Sequence, residues 1–230
     1  MVGRFAALLR RAELTVDDTE RTALARLVLS LSSKGLHDRR ILAAIEELPR
    51  SLFVAVAWHA KALEDRPVPI ECGQTVDAPS TLGLAYQAAD IAAEHRVLEI
   101  GTGSGYGTAL LSSLCTKVYT VERYRTLADL ALERFATLEL GNVVPSVHDG
   151  LEGFPRNAPF HRIVLDGAVE TVPQTLLDQL APQGVLVAPI GRPGEMQALT
   201  RFVRRDRGIE VEPVCPTRRV ALVPGRAAAL

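Results

Sequence analysis

The stretch Val97-Leu98-Glu99-Ile100-Gly101-Thr102-Gly103-Ser104-Gly105-Tyr106-Gly107 constrains the fold more than any other part of this chain. An apolar run enters a turn with four glycines, and Thr108-Ala109-Leu110-Leu111 continues with helical character. Strand, glycine loop and helix in that order open a nucleotide-type site. Glycine suits such a loop because the backbone turns tightly and a ligand approaches with no Cβ in the way. Glu99, two residues before the first glycine, sets this loop apart, because a dinucleotide loop has no need of a carboxylate there.

The following chain alternates. Strands read at 96–100, 117–121, 142–147, 162–165 and 184–189, with helices at 106–114, 127–138 and 174–180. Alternation of this kind builds a mostly parallel twisted sheet with helices on both faces. Two later runs, 197–204 and 209–213, read as antiparallel strands at one edge, and 220–223 as a last short strand. Leu127, Leu130 and Leu132 are expected in the core. Upstream, 5–48 reads as helix. Leu24, Leu27, Val28 and Leu31 form one stripe, Gly35 breaks it, His37-Asp38 opens a second helix and Pro49 stops that one. Residues 52–65 read as helix or loop, with Trp58 packed under the segment that follows. Pro67 and Pro69 force extended chain, and a further helix spans 80–92 with Ser80 or Asp77 as its N-cap. The expected division is a helical region, 1–79, and a ligand-binding α/β domain, 80–230.

Composition narrows the partners. The 230 residues are 47% hydrophobic and 23% charged with a net charge of −1, so neither nucleic acid nor an anionic membrane is called for. Cys72, Cys115 and Cys215 make no CxxC pair. No metal site is expected, and reduced thiols fit a cytoplasm. No apolar run is long enough to cross a bilayer. The helical stretch before Lys34 suits a partner or homodimer contact, and equally a simple cover for the core.

Three acids fall at successive strand ends: Glu99, Glu122 and, in His148-Asp149-Gly150, Asp149. Ligands of an open α/β sheet bind beyond those carboxyl ends, so all three are expected to line one crevice. Glu122 lies about 20 residues past the loop, where such folds place an acid on ribose hydroxyls. NAD is the structural competitor. The pattern E-x-G-x-G-x-G instead favours a cationic, amino-acid-bearing nucleoside, S-adenosyl-L-methionine, with S-adenosyl-L-homocysteine as its product. Gly101, Thr102, Gly103, Ser104 and Gly105 are then expected to approach its amino-acid part with Glu99 positioning it. Glu122 and Arg123 are expected at the ribose, and Asp149 and Gly150 at the adenine.

At this point the chain resembles the protein-L-isoaspartate O-methyltransferases, as a divergent member. Arg96–Gly107, RVLEIGTGSGYG, is similar to their first motif, and VYTVER at 118–123 to their second strand. ILAAIEELPRSLFV at 41–54 is similar to their entry helix, and LAPQGVLVAPIG at 180–191 to a late helix-to-strand turn. More specific is Pro69-Ile70-Glu71-Cys72-Gly73-Gln74-Thr75-Val76, which resembles the P-I-x-x-G-Q-T-I signature. The resemblance implies a Rossmann-like class I methyltransferase fold. It also implies methyl transfer to the carboxylate of isoaspartyl residues in damaged proteins, so the partner is a protein or peptide acceptor.

Three positions depart from the family pattern. Asp77 stands where the signature continues with a serine beside the acceptor. The fourth strand begins at His161 and ends Asp166-Gly167-Ala168 in place of Thr-Ala-Ala, which puts Asp166 at the crevice. The R-F-V-P-L segment that helps hold the acceptor is matched only loosely by Arg218-Arg219-Val220-Ala221-Leu222-Val223-Pro224. An ionised Asp77 about 4 Å from an acceptor carboxylate costs roughly 4 kcal/mol at an effective dielectric near 20. Three readings of Asp77 stay open: a helix cap, a protonated donor in the serine's place, or a base for a different acceptor. Thr75 and Asp77 are the candidate catalytic residues. Two rivals to the isoaspartyl reading are a methyltransferase on another acceptor and a non-catalytic module that binds S-adenosylmethionine.

Overall fold

A computed structural model describes residues 18–227. The start of the expected first helix and the tail from 228 lie outside the described residues. Helix α1 (Asp18–Ser33) ends as Gly35 takes a φ of +96°, and α2 (Arg39–Glu47) begins where the Asp38 carboxylate accepts from the Arg40 N–H. Single-turn 3-10 segments and the short α3 (His59–Ala62) lead into a two-strand antiparallel ribbon, β1 (Val68–Pro69) with β2 (Thr75–Val76). Trp58 is exposed, not packed, because the short turns at 56–62 carry it on their outer side.

Helix α4 (Pro79–Ala89) corrects one expectation. Its N-cap is Ala78 with Pro79 in the first turn, and neither Ser80 nor Asp77 caps it. The Ser80 N–H donates instead to Asp65 Oδ1 at 2.9 Å, an acid held by Lys34 from the end of α1. The cap is supplied across the fold, so no local pattern announces it.

The remaining elements are β3 (Arg96–Ile100), α5 (Tyr106–Leu114), β4 (Lys117–Glu122), α6 (Arg125–Thr137), β5 (Val143–Val147), β6 (Phe160–Leu165), α7 (Gln174–Asp178), β7 (Leu180–Ile190), β8 (Gln197–Arg205) and β9 (Gly208–Thr217). They form one seven-stranded sheet in the order β5-β4-β3-β6-β7-β8-β9. Pairing is parallel as far as β7 and antiparallel for β8 and β9. Residues 220–223 form no strand; they make a single bridge, Ala168 to Ala221, because the segment crosses the ends of the strands.

Strand alternation sorts the core into two layers. Val97, Val118 and Val164 face the layer shared with α1, α2, α4 and α5, whereas Leu98, Ile100, Val121 and Leu165 face the layer closed by α7. In α6 the buried residues are Leu127, Ala128, Ala131 and Phe135, while Leu132 is 45% exposed. Five residues beyond Leu127 is about 140° around a helix, on the solvent side.

Candidate active site

Strand order reverses around β3, and the crevice opens there beyond the carboxyl ends of β3, β4, β5 and β6. One cavity holds Gly101, Gly103, Glu122, Arg123, Asp149, Gly150 and Asp166 on its walls, under a cover made by residues 220–223. A smaller one beside it touches Thr102, Ser104, Asp77 and Asp166. A third, open and about 690 Å³, lies on the far side of the signature ribbon between α4 and the β8–β9 edge. Thr75 borders all three, and Asp77 borders the second and third.

The glycine loop is built as its composition requires. Gly101, Gly103 and Gly105 sit at φ of +103°, +52° and +89°, in the left-handed region that only glycine takes without strain. At Gly107 conformation is not the issue but space. A Cβ there would stand 2.6 Å from the Tyr86 hydroxyl, 2.9 Å from Glu99 Oε1 and 3.2 Å from Asp166 Oδ2. Gly107→Ala is therefore expected to weaken cofactor binding about tenfold and cost about 1–3 kcal/mol of stability, read by calorimetry and urea unfolding. Unchanged values would show that the polar cluster yields freely.

The Glu122 carboxylate accepts three backbone N–H groups. Oε2 takes Gly103 at 2.8 Å, and Oε1 takes Arg123 at 2.8 Å and Tyr124 at 2.9 Å. It thus ties the loop to the end of β4. Asp149 accepts Leu151 N through Oδ1 and Gly225 N through Oδ2, while Arg123 Nε donates to the Gly225 carbonyl. The chain after residue 223 is tied over the crevice by the same residues expected to meet a nucleoside.

Glu99 departs from the expected arrangement. It is fully buried and is not a wall of the main crevice. On β3 it shares the Val97 face, so it points under α5 and not out of the strand end. Its Oε2 accepts the Thr108 and Thr120 hydroxyls, and its Oε1, on the side of Asp166, has no hydrogen-bond partner among the described residues. Burial, and then the neighbouring Asp166 carboxylate, hold its pKa well above the usual range. Thr102 and Ser104 also turn inward: Thr102 Oγ1 meets Thr120 Oγ1 at 2.5 Å, and Ser104 Oγ is buried without a partner among the described residues.

Sequence reasoning missed the residue that joins Asp77 to Asp166. Arg219, with no exposed side-chain surface, donates from Nη1 to Asp77 at 2.8 Å and to Asp166 at 2.9 Å. Its Nη2 donates to the Thr81 carbonyl, and Gln197 brackets its backbone on both sides. The two acids that depart from the family pattern are one unit around a single guanidinium. The signal was available, since two extra acids in a buried site require a cation, and Arg219 lies in a segment already assigned to the acceptor. Both acids hold Arg219 charged. Asp77 is pushed up to about 6, by burial first, against the pull of Arg219 and with the push of Asp166. One cation shared by two carboxylates leaves one of the acids carrying the desolvation cost, which reconciles the two directions.

The sign of the pH effect follows. Asp77 binds its proton more tightly folded, near 6, than at its ordinary 3.8. Its stabilising contribution is complete below about pH 4 and is lost as pH rises to about 6. The stability of wild type relative to Asp77→Asn is expected to fall by about 3 kcal/mol across that window and stay level above it. Urea unfolding at a series of pH values checks this, and a flat difference contradicts it.

The family model for protein-L-isoaspartate(D-aspartate) O-methyltransferase matches residues 22–227. The chain belongs to this family. It is also 46% identical to the protein-L-isoaspartate O-methyltransferase of Azorhizobium caulinodans, over 94% of this chain and 100% of that one. Against the enzyme of the same name from Caulobacter sp. strain K31 it is 46% identical over 90% of this chain and 95% of that one. Such identity corrects the expectation of a divergent member. A solved protein-L-isoaspartate O-methyltransferase superposes with a TM-score of 0.78 at 27% identity, covering 86% of this chain and 65% of that one. This chain thus spans slightly under two thirds of that structure. A putative protein-L-isoaspartate O-methyltransferase from Plasmodium falciparum, solved with S-adenosyl-L-homocysteine, gives a TM-score of 0.74 at 21% identity, with coverage of 86% and 97%. The fold is the Rossmann-like class I methyltransferase fold that the family resemblance implied, on the mostly parallel sheet read from the alternating strands and helices.

Proposed function

We infer that this protein transfers a methyl group from S-adenosyl-L-methionine to the carboxylate of isoaspartyl residues in damaged proteins. The observation that carries the reading is the meeting of three cavities at Thr75. The signature ribbon stands there between a glycine-lined crevice and an open acceptor cavity, in a chain whose family match runs from 22 to 227.

The residues fit the cofactor. Glu99 lies buried below the loop, where its carboxyl braces Thr108 and Thr120 behind the amino-acid end of the site. Gly101 and Gly103 line the crevice with nothing closer than 3.5 Å to where a Cβ would stand, whereas Gly105 turns toward Phe135 and Ala131 and lets the loop pack on α6. In this reading Thr102 and Ser104 shape the amino-acid end with Glu99, Glu122 and Arg123 hold the ribose, and Asp149 and Gly150 meet the adenine. Asp166 marks the border with the acceptor. Bound S-adenosylmethionine supplies an electrophilic methyl group on a sulfonium.

The acceptor asks for no base, because a carboxylate with a pKa near 4 is already a nucleophile at neutral pH. The chain's task is to hold it in line and keep water out. Thr75 and Asp77 flank that path. The pairing of Asp77 with Arg219 speaks against the base that a different acceptor would need. The partner is an isoaspartyl-bearing protein or peptide. Among the described residues no helix is long and apolar enough to cross a membrane, and none of the three cysteines forms a disulfide, in keeping with a cytoplasmic place.

Calorimetric titration with S-adenosylhomocysteine tests the cofactor half, with one site per chain expected and no heat overturning it. Transfer of labelled methyl to an isoaspartyl peptide, set against its aspartyl isomer, tests the acceptor half.

A further inference from the structure

Arg219 carries more than a structural ion pair requires. Arg219 is among the residues bordering the open acceptor cavity with its guanidinium buried behind Asp77, and Asp77, partly exposed, borders both that cavity and the small one beside the glycine loop. The Arg219 backbone is fixed by Gln197 through both N–H and carbonyl, so the head group is held from behind. Asp77 and Asp166 both bind Nη1, Nη2 makes one bond to the Thr81 carbonyl, and the Nε–H is buried without a partner among the described residues. A buried guanidinium with three of its five donors used, two of them on acids at one Nη, is set to accept a further anion.

Charge makes the same point. Two carboxylates around one guanidinium already leave an excess negative charge. Bringing a third carboxylate to the junction beside an undisturbed Asp77 adds the repulsion of a second like charge in a poorly solvated place. An acceptor carboxylate that takes over the arginine edge avoids that cost, because it replaces Asp77 at the cation instead of facing it.

We propose that Arg219 is the acceptor-binding residue of this enzyme: the carboxylate to be methylated docks on its guanidinium, at the edge that Asp77 holds in the structure. One carboxylate oxygen binds the guanidinium and the other keeps its lone pairs as the nucleophile. Asp77 then acts as a resting plug, released into the acceptor cavity when the peptide arrives. The departure from serine at 77 and the acid at 166 are the two halves of a latch on one cation. This rests on the isoaspartyl reading above and names the group that receives the acceptor.

The test uses peptide binding to the full chain saturated with S-adenosylhomocysteine, which needs no turnover. Two fluorescent peptides are compared, one isoaspartyl and one with that carboxylate replaced by its amide. Asp77→Ser is expected to tighten the acid peptide about tenfold and leave the amide peptide within about threefold. Arg219 is removed in the Asp77→Ser/Asp166→Thr background, where its loss strands no acid. There Arg219→Gln is expected to weaken the acid peptide roughly 30-fold, to bring the acid-to-amide preference close to one, and to leave S-adenosylhomocysteine affinity within about threefold. An unchanged preference after Arg219→Gln overturns the proposal, since a merely structural arginine would not read the ligand's charge. A wild type that binds neither peptide overturns it together with the isoaspartyl reading. A wild type that prefers the acid but transfers no methyl overturns that reading alone.

Discussion

Arg50→Leu is expected to cost this protein about 4 kcal/mol and lower its melting temperature by about 10 °C. The side chain is 1% exposed and every one of its donors is used. Nε bonds the carbonyl of Ala62, Nη1 those of Arg66 and Asp77, and Nη2 those of Lys61 and Glu64. Leucine keeps most of the volume and strands five carbonyls in the interior. Lysine offers a single head group that cannot reach five acceptors in a fork, so Arg50→Lys should recover little of the loss. The effect reaches function, because these bonds fold 61–77 into the shape that presents Thr75 and Asp77. At temperatures where the variant is folded, the KM for an isoaspartyl peptide should rise while affinity for S-adenosylhomocysteine holds. Thermal scans followed by circular dichroism check the first part. A shift below about 2 °C would mean the carbonyls find other partners.

Glu122→Ala is expected to weaken S-adenosylhomocysteine about 100-fold, near 3 kcal/mol. The carboxylate organises the loop through Gly103 and the turn through Arg123 and Tyr124, while lining the crevice. Removing it frees the loop from β4 and deletes the proposed ribose contact together. Glu122→Gln keeps one carbonyl oxygen as acceptor and should lose about tenfold. Calorimetry separates the two variants. Affinity within threefold of wild type for Glu122→Ala would remove Glu122 from the cofactor site.

Much of the fold was legible because it is written in local periodicity. The β3 and α5 boundaries were read correctly at both ends, and the edge hairpin fell where alternation placed it. Two of the misreadings share one physical cause, contacts made across the fold. Asp65 replaces a local cap for α4 because Lys34 holds it there. The 220–223 segment is apolar enough for a strand but covers the crevice, so only Ala221 pairs. Glu99 was placed in the crevice by strand-end logic, whereas the alternation that sorted Val97 from Leu98 puts its side chain on the α5 face. At the acceptor side the residue types were legible and their meaning was not. Asp77 alone read as a repulsive charge. The structure shows it neutralised by Arg219, far away in sequence, and shares that cation with Asp166.

The pairing also sets a pH dependence. The charged groups facing Asp77 are Arg219, Asp166 and Arg50. Since Asp77 competes with the acceptor for Arg219 only when ionised, kcat/KM for an isoaspartyl peptide should fall as pH rises through about 6. Asp77→Ser should flatten that profile.

The most direct measurement is the product itself. Purified protein, S-adenosylmethionine and an isoaspartyl peptide are incubated, and the peptide is followed by mass spectrometry beside its aspartyl isomer. The isoaspartyl peptide should gain one methyl ester and then lose methanol as the neighbouring amide closes a succinimide, while the aspartyl isomer stays unchanged. An isoaspartyl peptide that gains no methyl, or two isomers methylated alike, would contradict the account.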